Sequence, residues 1–359
     1  MSDTGLTANG GVAKTLHELE FRGSGGEYFR IWIVNIALTI ITLGIYGAWA
    51  KVRTLRYLRG NTYLADHPFD YHASPVRILI GRVIAVSVLI GYSVTAQIHP
   101  LVAVVWVIFF MFITPWLVVS SIRFNARNTS YRNVRFNFVG TLGEAAMAYI
   151  LWPFLSVLTL FTTWPLVHRI RDYFFINNHT FGGKSFSTEF SGWAIYRIYL
   201  LVFAAVITVA AAAGAIGYFV LAPSGFLAPH SRPPGPLALA VIVILYLVFL
   251  FTMVSVQVFI HALSMNLALN RTILDGRHEL RSKLGPLRMA WISFSNALLV
   301  LVTIGLFYPW ARIRLTRYEI SRLAVLAASD LDEFTSEAFA TQGAIGEEIA
   351  NFFDLGISL

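Results

Sequence analysis

Cysteine is absent from all 359 residues. That excludes disulfides, thiolate metal sites and cysteine nucleophiles, and it leaves the compartment undecided. Charge is scarce: Asp, Glu, Lys and Arg make up 13% of the chain, against roughly a quarter in a soluble domain. Basic residues are missing altogether after Arg322, where seven acids follow: Asp330, Asp332, Glu333, Glu337, Glu347, Glu348 and Asp354. Residues 1–322 therefore hold 27 basic and 12 acidic residues, a net of +15 against +8 for the whole chain. No His-Glu-x-x-His, Gly-x-Ser-x-Gly or Walker-type Gly-x-x-x-x-Gly-Lys occurs, and each of those chemistries needs its spacing. The nine His are scattered, and His67 with His72 is too weak a pair for a metal. No catalytic residue, metal or cofactor is assigned, and an enzyme is not expected. Residues 1–20 lack the apolar core of a signal peptide, so the first apolar run is expected to remain in the mature protein.

What the chain has in abundance is apolar sequence, at 57%. Leu101–Val119, Tyr199–Leu221 and Leu237–Ile260 each approach or exceed the roughly 20 residues that cross a bilayer as helix. A polytopic membrane protein is expected, with seven apolar segments near 28–48, 77–96, 101–121, 143–164, 197–221, 237–262 and 289–308. In such a protein Lys and Arg report topology, so no nucleic-acid partner is inferred from the basic balance. The acidic tail reads either as a solvated segment or as an amphipathic helix docked through Phe334, Phe339, Ile345, Ile349, Phe352 and Phe353.

One passage is written twice. Asn35 to Tyr57 and Asn296 to Tyr318 align without a gap at an offset of 261, repeating Asn, Thr, Gly, Trp, two Arg and the final Tyr. A weaker copy lies between them. Phe21–Glu27 matches Phe138–Glu144, and Lys51–Arg53 matches Arg169–Arg171. Duplication of this kind sets architecture before chemistry. Short alternating stretches, Leu16–Gly23 and Tyr131–Gly140, read as half-buried strands. Hairpins are expected at Asn61–His72, Asn128–Val139, His179–Phe190 and Arg271–Arg281. The implied division is a polar tail (1–15), repeat one (16–133), repeat two (134–277), a truncated third repeat (278–323) and an acidic tail (324–359).

The loop at Gln97–Pro100 has no Lys or Arg, and the loop at Ala222–Pro236 has only Arg232. The other basic residues flank every remaining connection. Seven full spans would put basic loops on both faces and invert the repeats. The alternative makes the three motif segments re-entrant and leaves four full spans. Gly44, Pro153, Pro165, Gly305 and Pro309 interrupt those segments, and broken backbone is tolerated at membrane depth where protein buries it. The expected fold is thus a mainly α-helical membrane protein of tandem repeats, with the hairpins joined in a cytoplasmic sheet.

Phe-x-Gly-x-x-Gly-Glu-Tyr-Phe (Phe21–Phe29), the Leu38–Tyr57 motif and Asn61-Thr62 together resemble the YjgN-like family of bacterial inner-membrane proteins of unknown function. The resemblance covers most of residues 16–323. It implies a multi-pass inner-membrane protein and no settled activity. The second copy departs from the pattern, with Leu160, Thr162 and Val167 where Thr42, Gly44 and Trp49 stand in the first.

Trp49, Arg53, Arg56 and Tyr57 share one helix face, as do Trp310, Arg314, Arg317 and Tyr318. Such a face reads as an interfacial anchor, or as a site for anionic lipid or phosphate, whose oxygens suit Arg forks. Glu27 and Glu144 stand where helices begin, to complement the dipole or pair with Arg53 and Arg171. Asn35 and Asn296, inside apolar runs, hydrogen-bond across helices or line a solute path. Gln257 and His261 share a face and read as a proton relay, or His261 as a buried, simply hydrogen-bonded histidine. Two functions follow. One is a transporter or channel-like protein for a small solute or lipid. The other is a lipid-binding or scaffold protein. Membrane lipids, anionic ones among them, are the expected partners, and a homo-oligomer is compatible with the sequence.

Overall fold

In the computed structural model, residues 14–223 and 235–354 are described, the side chains of 343–354 excepted. Residues 1–13 of the polar tail, Arg232, and the side chains of Ile345, Ile349, Phe352 and Phe353 lie outside the described residues.

Ten strands close into one antiparallel barrel: β1 (Thr15–Phe21), β2 (Thr62–Leu64), β3 (His67–Tyr71), β4 (Thr129–Tyr131), β5 (Val134–Phe138), β6 (His179–Phe181), β7 (Lys184–Thr188), β8 (Thr272–Leu274), β9 (His278–Ser282) and β10 (Leu323–Ala327). The strands follow chain order around the barrel, and β10 pairs with β1 from Thr15↔Ala327 to Glu18↔Ala324. The connections β2–β3, β4–β5 and β6–β7 turn on two residues, and β8–β9 on Asp275-Gly276 and Arg277. In all four, two successive residues have positive φ: Ala65 and Asp66, Arg132 and Asn133, Gly182 and Gly183, Asp275 and Gly276. That backbone matches the twist of the strands it joins.

Between successive strand pairs the chain leaves the barrel as a helix pair and returns. The five pairs are α1 (Gly25–Ile41) with α2 (Gly47–Gly60), α3 (Pro75–Thr95) with α4 (Pro100–Arg127), α5 (Leu142–Ala146) and α6 (Trp152–Leu158) with α7 (Trp164–Asn177), α8 (Gly192–Leu221) with α9 (Pro236–Leu269), and α10 (Pro286–Val302) with α11 (Tyr308–Ile320). A π-helical turn, Met147–Leu151, joins α5 to α6. The strands flanking each pair are neighbours, as where Tyr71 of β3 meets Thr129 of β4. Every helix pair therefore springs from the same end of the barrel.

Among the described residues, α3, α4, α8 and α9 are long and apolar enough to cross a membrane. The three motif segments instead fold back on themselves. Their turns place Leu43 and Gly44, Leu160 and Phe161, and Ile304 and Gly305 at positive φ. Thr42 Oγ1 accepts from the Tyr46 amide at 2.9 Å and donates to the Leu38 carbonyl at 2.7 Å. Thr303 does the same for Phe307 and Leu299, at 3.0 and 2.6 Å. The threonine satisfies backbone groups that the break exposes. Phe161 occupies the strained position that glycine fills in the other two copies, a conformation rare for a bulky side chain.

The barrel interior is aromatic and apolar. Leu64, Tyr131, Val134, Phe181, Leu274 and Ala327 are buried there, with Phe69, Phe136 and Phe186 packed against them. α12 (Leu331–Asp354) enters at the turn end and buries Leu331, Phe334 and Ala338 in the same cluster. Gly182 is needed at the point of entry, because a Cβ there would lie 2.6 Å from that of Ala338. Around the rim Arg132 pairs with Asp332, Lys184 with Glu337 at 2.6 Å, and Arg277 with Glu337 at 3.3 Å. Residues 324–359, read from sequence as an acidic tail, thus supply most of β10 and the whole of α12.

Barrel closure corrects the expectation of a mainly α-helical membrane protein whose hairpins form a cytoplasmic sheet. The strands form a single closed wall with no free edge, because residues from the two ends of the chain pair and remove both edges. Strands of three to seven residues are too short to announce a barrel by period alone.

Asp66, Lys184 and Asp275 lie in or beside the turns at the end of the barrel away from the helices. Topology reporters inserted at these positions are expected to report one and the same side of the membrane; opposite sides for any two would break this arrangement.

Candidate functional site: a polar pocket among the helices

Most polar residues of the repeated motif hold the scaffold together. The second helix of each pair reaches the next strand-to-helix junction. Arg56 Nε donates to the Tyr71 carbonyl (3.5 Å), Arg123 Nε to that of Phe138 (3.0 Å), Arg169 Nε to that of Phe190 (2.9 Å), Asn266 Nδ2 to that of Leu284 (2.8 Å) and Arg317 Nη2 to that of Gly23 (2.8 Å). These five contacts form a ring, and Arg317 carries it across the seam between the chain ends. A hydrogen bond from a charged donor contributes about 1.5–3 kcal/mol.

The tyrosines act similarly. The Tyr57 hydroxyl accepts from the Ser24 amide (2.8 Å) and donates to Glu27 (2.9 Å). The Tyr318 hydroxyl accepts from the Gly285 amide (2.8 Å) and donates to the Gly285 carbonyl (3.1 Å). Trp310 stacks on Phe29 at 4.9 Å and covers Gly25, where a Cβ would sit 2.3 Å from its ring. Trp49 stacks on Tyr46 at 6.2 Å. Glu144 completes a capping box with Thr141 and accepts from Asn178 at 3.2 Å, so Tyr57 and Asn178, not Arg53 and Arg171, are the side-chain partners of the two glutamates. Asn35 and Asn296 each donate across the fold-back, to the carbonyls of Ala50 (3.5 Å) and Ala311 (3.0 Å).

The arginines at the equivalent positions 53, 171 and 314 diverge. Arg171 Nε donates to the Ala148 carbonyl (3.2 Å), and Arg314 Nη1 to Ser295 Oγ (3.0 Å) and Asn296 Oδ1 (3.3 Å). Arg53 is exposed and has no hydrogen-bond or ion-pair partner among the described residues.

Gln257 and His261 fall in a different environment. They line a pocket of about 370 Å³ with Trp164, His168, Arg171, Asp172 and Tyr199, drawn from α7, α8 and α9. His168 Nδ1 lies 3.0 Å from the Tyr199 hydroxyl, which donates to it when that nitrogen is unprotonated. His168 Nε2 lies 3.6 Å from Asp172 Oδ2, beyond hydrogen-bond length. His261 Nε2 stands 4.0 Å from Glu319 Oε1 of α11. Burial pushes the Asp172 carboxyl up from 3.8 to about 7. Burial, then the fields of His261 and Arg171, depresses His168, so this imidazole is neutral and gives Asp172 no countercharge. Burial also raises Glu319, against the opposing fields of His261 and Arg312. Asp172, His168 and His261 thus line one pocket, and Glu319 stands 4.0 Å beyond His261.

Sequence reasoning found Gln257 and His261 and missed His168, Asp172, Tyr199 and Glu319. A signal was present. The second copy has His168 and Asp172 where the first has Ala50 and Thr54 and the third has Ala311 and Leu315. The departures of the weak copy mark the site, whereas the residues that the copies share mark the scaffold.

Fold and pocket define a multi-pass membrane protein in which a ring of helix pairs carries a closed, plugged barrel. The chain belongs to the family described as bacterial protein of unknown function (DUF898), whose model matches residues 16–352. It is similar to the inner membrane protein YjgN of Salmonella typhimurium, 30% identical over 177 residues, or 49% of this chain and 43% of that one. It is also 32% identical to the inner membrane protein YjgN of Escherichia coli K12 over 123 residues, 34% of this chain and 31% of the relative. The match thus spans less than half the length of these curated relatives. No solved structure matches. With four helices able to span a bilayer and relatives of this location, the protein is a multi-pass protein of the bacterial inner membrane.

The raised Asp172 has a consequence for stability. Between its ordinary 3.8 and about 7 the folded carboxyl keeps a proton that the unfolded one loses. The cost of the buried charge is therefore absent at low pH and complete above about 7. Asp172→Asn mimics the protonated form. Its melting temperature is expected to match wild type below the ordinary 3.8 and to exceed it by a margin that grows as pH rises to about 7, on the order of 2–4 °C per kcal/mol relieved. A pH-independent difference in thermal melts would contradict the assignment.

Proposed function

We propose that the protein is a proton-linked membrane transporter of a small polar solute, with Asp172 as the proton-carrying group and the α7–α8–α9 pocket as its binding site. The observation that carries this reading is the pocket itself. Ionisable groups among membrane helices are costly and mark solute or proton paths. A carboxyl held near 7 exchanges its proton at physiological pH. His168 and Tyr199 offer neighbouring groups for proton transfer. The reading is non-enzymatic.

The three folded-back segments fit this picture as elements that enter the bilayer without crossing it. α1 and α10 have 17 residues each, about 25 Å of helix, against a hydrocarbon core of about 30 Å. Their turns present Leu43 at 95% exposure and Ile304 at 93%, apolar tips suited to lipid.

In proteoliposomes holding a trapped pH dye, wild-type protein is expected to speed the collapse of an imposed pH gradient. Asp172→Asn should slow it at least roughly tenfold, the low side of what a positioned proton-transfer group supplies. Wild-type rates equal to those of protein-free vesicles, or an unaffected Asp172→Asn, would end the proposal.

A second reading rests on Arg53. Exposed and unpartnered beside Trp49, it suits the phosphate of an anionic lipid. Its counterpart Arg314 is already engaged with Asn296, so Arg53 alone is the residue to alter. Arg53→Ala is expected to lower phosphatidylglycerol retention in native mass spectra by about one lipid, a loss of roughly 1 kcal/mol of attraction, while leaving the melting temperature unchanged. Unaltered retention would remove this reading.

A further inference from the structure

The barrel lumen holds a cavity of about 260 Å³ that the transport reading does not use. Its wall runs from Leu331 and Phe334 of α12 to Leu269 and Leu323, at the strand ends that adjoin the helices, with Phe136 and Phe186 between them. The volume exceeds the roughly 150 Å³ of a dry engineered cavity that takes up benzene or xenon. A water here would need two to four polar partners, and the polar side chains of the wall are Tyr131, His278, Arg281 and Thr335, of which Tyr131 already donates to the Leu64 carbonyl. His278 is fully buried beneath Phe334 at a ring separation of 4.3 Å, and its Nδ1 accepts from the Ala328 amide. Arg281 already pairs with Glu279. His278 Nε2 is buried without a hydrogen-bond partner among the described residues, and the lining is otherwise mainly apolar and suited to hydrocarbon.

We infer that the barrel lumen is a binding site for a single linear hydrocarbon chain, from a phospholipid or a free fatty acid, with α12 as its floor. Entry is from the helix end, because α12 fills the turn end and its rim pairs hold it there. Leu269 and Leu323 bring the cavity to the level where the helix pairs leave the barrel. A chain threaded there leaves its polar head outside, on the side where Arg281 precedes the last residue of β9. The lumen shares no lining residue with the pocket around Asp172.

The test uses full-length protein in phosphatidylethanolamine and phosphatidylglycerol vesicles. One set is doped with a fatty acid bearing a diazirine on its chain, the other with a phospholipid bearing the same group. After photolysis, adducts are expected on the peptides that hold Phe136 and Phe186; which set yields them identifies the source of the chain. Val325→Phe, which enlarges a residue of the wall, should lower those adducts about tenfold, equivalent to ~1.4 kcal/mol of binding, and leave adducts on α3 and α8 unchanged. Leu19→Phe serves the same purpose should Val325→Phe elute abnormally. Asp172→Asn should leave lumen labelling intact, so failure of the transport reading is separable from failure of this one. Wild-type adducts confined to the membrane helices would overturn the inference, as would undiminished lumen labelling in a filled variant that melts like wild type.

Discussion

Pairing of β1 with β10 is the contact on which the remaining structure depends. The four internal strand pairs are local: each turns on two or three residues and needs no help from afar. The fifth brings Thr15 opposite Ala327, more than 300 residues along the chain. Without it the sheet has two exposed edges, and edges invite pairing with other chains. The seam is also reinforced from the helix side. Arg317 donates to the Gly23 carbonyl, and Trp310 lies over Gly25 against Phe29. The best-conserved phrase within this chain, shared by its first and last helix pairs, is therefore found on both sides of the joint that those pairs make.

Closure explains why the acidic segment is folded. A ten-stranded barrel with a wide lumen needs filling. α12 supplies Leu331, Phe334 and Ala338 to the interior, and its acids meet the bases of the turns. Such rim pairs are individually weak at an exposed surface. They orient the helix, while the buried side chains hold it. The charge asymmetry of the sequence, with bases before residue 322 and acids after it, is in this sense an internal complementarity.

The membrane class, the four long apolar helices and the breaks at Gly44 and Gly305 were legible in Leu, Val, Ile and Gly placement, because apolar length and glycine at a break act locally. The barrel was not. Its strands contribute three to seven residues each, and Leu323–Ala327 reads as an ordinary apolar stretch between Arg322 and the acids. The fivefold order was hidden by unequal helices: 17 residues in α1 but 34 in α9, so the repeat has no fixed period. The motif Arg and Tyr residues suggested phosphate and interface chemistry by type alone. Their partners proved to be mainly backbone groups, at the start of the same helix pair for Tyr57 and Tyr318 and at the next strand-to-helix junction for Arg56 and Arg317, which no single helix face reveals. Arg53 differs from Arg314 in making neither contact: Val34 stands where Ser295 engages Arg314, and Asn35 Oδ1, the counterpart of the Asn296 acceptor, is left without a partner.

Pseudo-symmetry also bears on where function can reside. Groups present in every unit serve the ring, since each must hold its neighbour in the same way. Chemistry confined to one place requires that the symmetry be broken. The third helix pair breaks it most. It has a π-helical turn at Met147–Leu151, Phe161 forced to positive φ where its counterparts have glycine, and His168 and Asp172 where they have Ala, Thr or Leu. A π-helical turn inside an α-helix is itself frequent at functional sites. Each of these features costs stability, and none is needed to close the ring, which Arg169 continues to the Phe190 carbonyl as the other units do. The proposed proton site lies on the unit that retained the linkage and gave up the rest of the pattern, and that coincidence is the strongest reason to look for activity there.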